Sequence, residues 1–190
     1  MAGKRYRTIV ADPPWPYDEG WPGWSLSREE RRALPYPSMT LDEIKALPVG
    51  QLAEREGYLF LWTTNRYLEA AFEVARAWTF TPRQVLTWCK PQMGEGPGGM
   101  FATTTEFVIV AQRIGPKSHA RGRRTNGVRV PSSWFQWPRG KHSQKPEAFI
   151  DLVEQVSPPP YLELFARRHR LGWDVWGNES ANTATLEVGT

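Results

Sequence analysis

Asp12 is followed by Pro13, Pro14 and Trp15, directly after the apolar run Thr8-Ile9-Val10-Ala11. Each proline fixes its φ angle and lacks an N–H donor, so the segment beyond Asp12 is stiff and rich in acceptors. A carboxylate, a prolyl carbonyl and a large ring in succession suit a flat molecule carrying an NH2 group. Adenine, with its exocyclic amine, fits. The same four residues also make an ordinary turn with a core tryptophan, because Asp and Pro are common turn formers. Placement bears on the choice, since ligands bind in loops at the carboxyl ends of strands in open α/β sheets.

The elements around this stretch read as such a sheet. Arg7 to Ala11 is a short buried strand. Thr40 and Glu43 form a capping box ahead of Leu41, Ile44 and Leu47, and Pro48 ends that helix. Tyr58 to Trp62 is a continuous apolar strand. Asn65 is placed to N-cap a helix over 66–78, which leads to a strand over 84–90. Strand, helix, strand implies βαβ connection and a largely parallel sheet. The glycines of 91–99 suggest a flap, and 103–113 is another strand. A helix from Glu147 to Val156 stops at Pro158 to Pro160, strands follow over 161–165 and 173–176, and the polar end beyond Ser180 reads as frayed. The expected organisation is a single domain over 1–180 with a flexible tail over 181–190.

At 190 residues the chain suits one domain with a substantial core. Its single cysteine, Cys89, excludes an internal disulfide and a cysteine-based zinc cluster. No metal site is expected. No apolar run approaches the ~20 residues of a membrane span, and the expected location is the cytoplasm. The formal charge of +4 is unevenly distributed: residues 113–145 carry nine Lys/Arg and no Asp or Glu, leaving 15 basic against 20 acidic residues elsewhere. A segment of this kind is either a solvated loop or a contact for a polyanion. Arg121, Arg123 and Arg124 lie within it, and Trp134, Phe135 and Trp137 near its end. Basic residues neutralise phosphates and rings stack on bases, although 133–137 also reads as an edge strand packed on the sheet.

Asp12-Pro13-Pro14-Trp15 resembles the DPPW motif of the adenine-N6 methyltransferases of the MT-A70 family, and the resemblance runs from about Arg7 to Glu179. It implies a Rossmann-like methyltransferase fold, α/β with a mostly parallel sheet, in permuted order: the catalytic strand first and the cofactor half last. It implies S-adenosylmethionine as cofactor. Asp12 and the Pro13 carbonyl would accept the two hydrogens of the target amine, with Pro14 holding the turn, while Trp15 with Tyr17 or Tyr36 would wall in the base. Tyr36 comes from Leu34-Pro35-Tyr36, which resembles the family segment beside base and donor. Glu106 resembles a glutamate that opens the same strand. By position, Lys145 would meet the methionine carboxylate of the donor, with Asp12 alongside. Phe165 would lie against the donor, and Arg167, His169, Asn178 and Glu179 would contact its ribose and polar edge. Arg170 and Glu179 stand where family members carry amides, so the ribose contacts differ. Few residues precede the first strand, so loop residues or a second subunit are expected to help hold the donor's adenine. The expected substrate is DNA, as for compact bacterial or phage enzymes, with RNA or a non-catalytic nucleic-acid-binding subunit as alternatives. A homodimer or partner subunit is a further expectation.

Overall fold

The computed structural model describes residues 4–16, 38–91, 100–113, 128–138, 144–177 and 181–186. Seven strands form one sheet: β1 (Tyr6–Ala11), β2 (Ala53–Thr63), β3 (Thr81–Cys89), β4 (Thr105–Gln112), β5 (Trp134–Phe135), β6 (Tyr161–Leu164) and β7 (Trp173–Trp176). Their spatial order is β5-β3-β4-β2-β1-β6-β7. β1 is central and parallel to both β2 and β6, with Ala11 opposite Leu61 on one side and Leu164 on the other. β4 runs antiparallel to β2 and to β3. The sheet is therefore mostly parallel, the Rossmann-like α/β arrangement expected from the sequence. The β2–β3 crossover leaves a gap of one strand, which β4 fills as a hairpin partner of β3.

The period-2 alternation of strands sorts the interior into two layers. Ile9, Ala11, Leu59, Leu61, Leu162 and Leu164 face helices α1 (Leu41–Ala46) and α3 (Leu68–Ala77) through Ile44, Ala71, Val74 and Ala75. Val10, Phe60, Trp62 and Val108 face α4 (Glu147–Val156) through Phe149, Ile150 and Val153. Strands buried on both faces require near-continuous apolar runs, which β1 and the latter half of β2 supply.

Local signals explain several boundaries. The Thr40 hydroxyl accepts from the Glu43 N–H at 3.2 Å, and the Glu43 carboxylate accepts from the Thr40 N–H at 2.7 Å. Helix α4 spans the expected residues. Asn65, by contrast, opens a 3-10 turn over Asn65–Tyr67, and α3 begins after Tyr67 without a side-chain cap. Tertiary contacts of Tyr67 fix that entry instead. A short helix α2 (Val49–Leu52) separates α1 from β2. The segment 181–186, expected as tail, docks on β7: Thr183 and Ala184 donate backbone N–H bonds to the Val175 carbonyl at 3.0 and 3.2 Å. Ala184 and Leu186 are buried, which is what holds the segment down. Among the described residues no helix is long and apolar enough to cross a membrane.

Candidate active site

Alternation carries Asp12, one step beyond Ala11, to the α4 side of the sheet. Trp62 in β2, Glu106 in β4 and Glu163 in β6 fall on that same side, at the carboxyl ends of the parallel strands. Lys145, just before α4, points into this group. Its Nζ lies 2.9 Å from Asp12 Oδ2 and 3.2 Å from Glu106 Oε2, and 5.3 Å from the centre of the Trp62 ring. Burial works against the Lys145 charge, but Asp12 and then Glu106 outweigh it and hold the amine above the usual lysine range. Burial likewise pushes Glu106 up, and Lys145 and Lys90 reverse this to hold it below the usual range. Lys90 Nζ closes the row with an ion pair to Glu106 Oε1.

Both prolyl carbonyls accept backbone hydrogen bonds. The Pro13 carbonyl takes the Trp15 N–H at 2.9 Å and the Pro14 carbonyl takes the Met39 N–H at 2.9 Å. A carbonyl has two lone pairs, so Pro13 can accept a second donor. Trp15 is only 3% exposed. It stacks on Tyr67 with ring centres 5.4 Å apart, and its Nε1 donates to the Trp62 carbonyl at 3.2 Å. Its ring thus serves the core and offers no free face to a base. Two prolines ahead of a ring are compatible with either role, and the neighbouring Tyr67 decides it.

Phe165 ends β6 in the left-handed region, φ 61°, edge-on to Trp176 at 5.5 Å. This is uncommon for a residue with a Cβ, and it turns the chain sharply across the end of β1. Arg167 is half-buried in that turn and His169 is exposed. Arg170 does not take the place of an amide, because its guanidinium is held on α4 by Asp151 at 2.6 Å and Glu154 at 2.9 Å. Trp134 sits in edge strand β5, 61% exposed. Four strand spacings separate β5 from β1, about 19 Å, so Trp134 is not part of the Asp12 group. Tyr17, Tyr36, Arg121, Arg123, Arg124, Asn178 and Glu179 lie outside the described residues, as do residues 92–99 of the segment expected as a flap and most of the basic segment.

Three residues that sequence reasoning left without a role support the site. Tyr67 stacks on Trp15, and its hydroxyl donates to the Pro16 carbonyl at 2.5 Å, clamping the end of the Asp-Pro-Pro-Trp segment. Gly177 lies against the Phe165 turn, where an added Cβ would be 2.6 Å from the Ala166 nitrogen and closer still to its carbonyl oxygen. Glu163 is pushed up to about 7, first by burial, with the Asp12 charge adding and Arg168 and Arg170 opposing. The two-residue period from Val10 to Asp12 and from Tyr161 to Glu163 was the available signal for Glu163.

An open Rossmann-like sheet with a carboxylate and a partly buried lysine at the mouth of its central strand has the crevice in which such sheets bind their ligands. The MT-A70 family model matches residues 6–179, and the chain belongs to that family. The type II methyltransferase M.MunI from Mycoplasma sp is 33% identical, covering 93% of this chain and 78% of its own length. The N(6)-adenine-specific methyltransferase METTL4 of Mus musculus is 28% identical over 93% of this chain. The N(6)-adenosine-methyltransferase catalytic subunit METTL3 of Homo sapiens is 25% identical over 92%. The chain spans 38% and 28% of the length of these last two.

Proposed function

We propose that this methyltransferase transfers the methyl group of S-adenosylmethionine to the N6 amine of adenine in DNA. The observation that carries the reading is the acceptor pair at the end of β1. The Asp12 carboxylate is paired with Lys145, and the next residue, Pro13, has a carbonyl whose second lone pair can accept from an amine. An adenine amine has its lone pair delocalised into the ring. Two acceptors aligned on its two hydrogens draw that pair back onto nitrogen, and fixed orientation supplies much of the remaining rate.

The donor's chemistry matches the groups present. When bound, S-adenosylmethionine supplies an electrophilic methyl on a sulfonium. Its carboxylate calls for a cation and its ammonium for an anion, and Lys145 and Asp12 are adjacent. Phe165 and Arg167 are on the turn that Gly177 allows to pass close to β7, and with His169, Asn178 and Glu179 they are the proposed contacts for the nucleoside part. Arg121, Arg123, Arg124 and Trp134 are the proposed contacts for the nucleic-acid strand, and Tyr17 and Tyr36 the proposed walls for the base. With Trp134 about 19 Å from β1 by strand spacing, it would touch the strand away from the target base. Flipping that base out of a duplex costs a few kcal/mol, which favours single strands or weak pairs.

DNA is supported by the similarity to a type II methyltransferase, and RNA by the names of the adenosine-methyltransferase relatives. The test is methyl transfer from labelled S-adenosylmethionine to single-stranded DNA, double-stranded DNA and RNA in parallel, with nucleoside analysis and Asp12→Ala as control. N6-methyladenine in DNA, lost in the variant, is the expected result. Label in RNA alone would replace the substrate. Absence of transfer with intact donor binding would turn the reading into that of a supporting subunit.

A further inference from the structure

Four charges alternate in sign through the site: Asp12, Lys145, Glu106 and Lys90, drawn from β1, the lead into α4, β4 and the end of β3. Their side chains are 22, 20, 13 and 17% exposed respectively, so each charge is largely removed from water. The row is neutral only when complete. A buried ion whose partner is removed is left uncompensated, at a cost far above that of a surface pair.

The geometry within the row is uneven. Lys145 Nζ lies 2.9 Å from Asp12 Oδ2 and 3.2 Å from Glu106 Oε2, an ion pair with each. Oε2 is a fully buried oxygen without a hydrogen-bond partner among the described residues. A carboxylate deprived of a bond would ordinarily turn toward an ammonium so close. Here the other oxygen is bonded to Lys90, which itself sits 5.3 Å from the Trp88 ring centre, across the β3–β4 pair from Glu106. Lys90 thus restrains the carboxylate, and Lys145 stands between two carboxylates, the nearer being that of Asp12.

We infer that Glu106 and Lys90 are positioning residues: Glu106 holds the Lys145 ammonium in place from behind, and Lys90 keeps Glu106 from drawing it away from Asp12. Asp12 is in turn oriented at the mouth of β1 by two residues that need not touch either substrate. The kinetic part of this inference rests on the reading of Asp12 as the group that accepts the target amine. The linkage of Lys145 to Glu106 and Lys90 does not.

The experiment therefore has two readouts. The first is titration of the Lys145 ammonium by NMR with nitrogen-labelled lysine, the signal assigned by its absence in Lys145→Arg. The groups facing this ammonium are Asp12 just beyond β1, Glu106 on β4 and the Trp62 ring on β2, with Lys90 just beyond β3 behind Glu106 and Glu163 on β6 near Asp12. Glu106→Gln leaves one carboxylate to oppose burial, and the titration is expected to move down from its wild-type position. The second readout is kcat and donor KM across pH for Glu106→Gln, Lys90→Met and Lys90→Arg. Misplacing a reacting group by an ångström costs on the order of a hundredfold. A fall of roughly ten- to a hundredfold in kcat is expected for Glu106→Gln and Lys90→Met, with an alkaline limb entering the Glu106→Gln profile and most of the loss recovered in Lys90→Arg. An unmoved Lys145 titration in Glu106→Gln would overturn the inference. So would a loss of kcat with an unchanged pH profile, or equal losses in Lys90→Met and Lys90→Arg. Should the wild type transfer no methyl at all while the titration moves as expected, the proposed function fails and the Lys145 linkage stands.

Discussion

Replacing Glu163 with Gln should stabilise the protein, and more so at high pH. Glu163 sits opposite Val10 in the β1–β6 register. Burial, reinforced by Asp12, raises its carboxyl from 4.5 to about 7. A raised acid holds its proton more tightly in the folded state, so folding loses stability where the unfolded chain ionises first. Below about pH 4.5 both states are protonated and there is no cost; between about 4.5 and 7 the cost grows, and above 7 it is fully present. At 1.36 kcal/mol per pKa unit the limit is about 3 kcal/mol. Integration across the same window leaves about 1 kcal/mol at pH 5. Glutamine keeps the shape and removes the ionisation. For a chain of this length each kcal/mol is worth about 2–4 °C, so Glu163→Gln should raise the melting temperature by about 6–12 °C at pH 8 and about 2–4 °C at pH 5. Calorimetry of both proteins at the two pH values reads this directly. An equal shift at both values would show that the effect is packing and that Glu163 ionises in the fold as it does in water.

Gly177→Ala places a methyl carbon 2.6 Å from the Ala166 nitrogen. Backbone must yield, at about 1–3 kcal/mol, seen as a lower urea midpoint together with weaker donor binding by calorimetry. Tyr67→Phe keeps the stack on Trp15 but removes the bond to the Pro16 carbonyl. It should cost about 1 kcal/mol by thermal unfolding and lower kcat beyond that loss, because the acceptor segment is freed at its far end. Thr40→Ala removes the hydroxyl half of the α1 capping box and leaves the backbone N–H to donate to Glu43, at about 1 kcal/mol in a urea titration.

Elements with local signals were legible in the sequence. The Thr40–Glu43 box, the helix over 147–156 and the strand over 173–176 each carry caps, apolar spacing or prolines within a few residues of their ends. The beginning of β2 had none: Ala53 to Gly57 is mostly charged and becomes strand because Ala53 pairs with Tyr6 across an irregularity in register. The beginning of β3 was hidden by Pro82, which lies beside a register shift, where a missing N–H does least harm. The antiparallel direction of β4 follows from its hairpin with β3, a long-range pairing that apolar runs do not encode. At the site, Asp12 was legible because its neighbours form a motif. Lys90 was not, because its importance comes entirely from touching Glu106 across two strands. Trp15 was read toward the base because nothing local distinguishes a stacking platform from a core ring.

The permuted order of the halves is immaterial to the site for a reason visible in the sheet. From β1 the chain reaches β2 by way of α1, packed on one face. It enters β6 on the opposite side of β1 from α4, packed on the other face. Connections that leave a central strand in opposite directions open a crevice at its carboxyl end. Asp12 falls at that end of β1. Phe165 immediately follows the last strand residue paired with it, Leu164 opposite Ala11. Residue 12 and residues 145–167 therefore meet whichever is synthesised first, because strand order in space fixes the crevice and chain order only decides which loops close it. A chain cut anew between β5 and α4 and rejoined through the present termini should build the same Asp12–Lys145 pair.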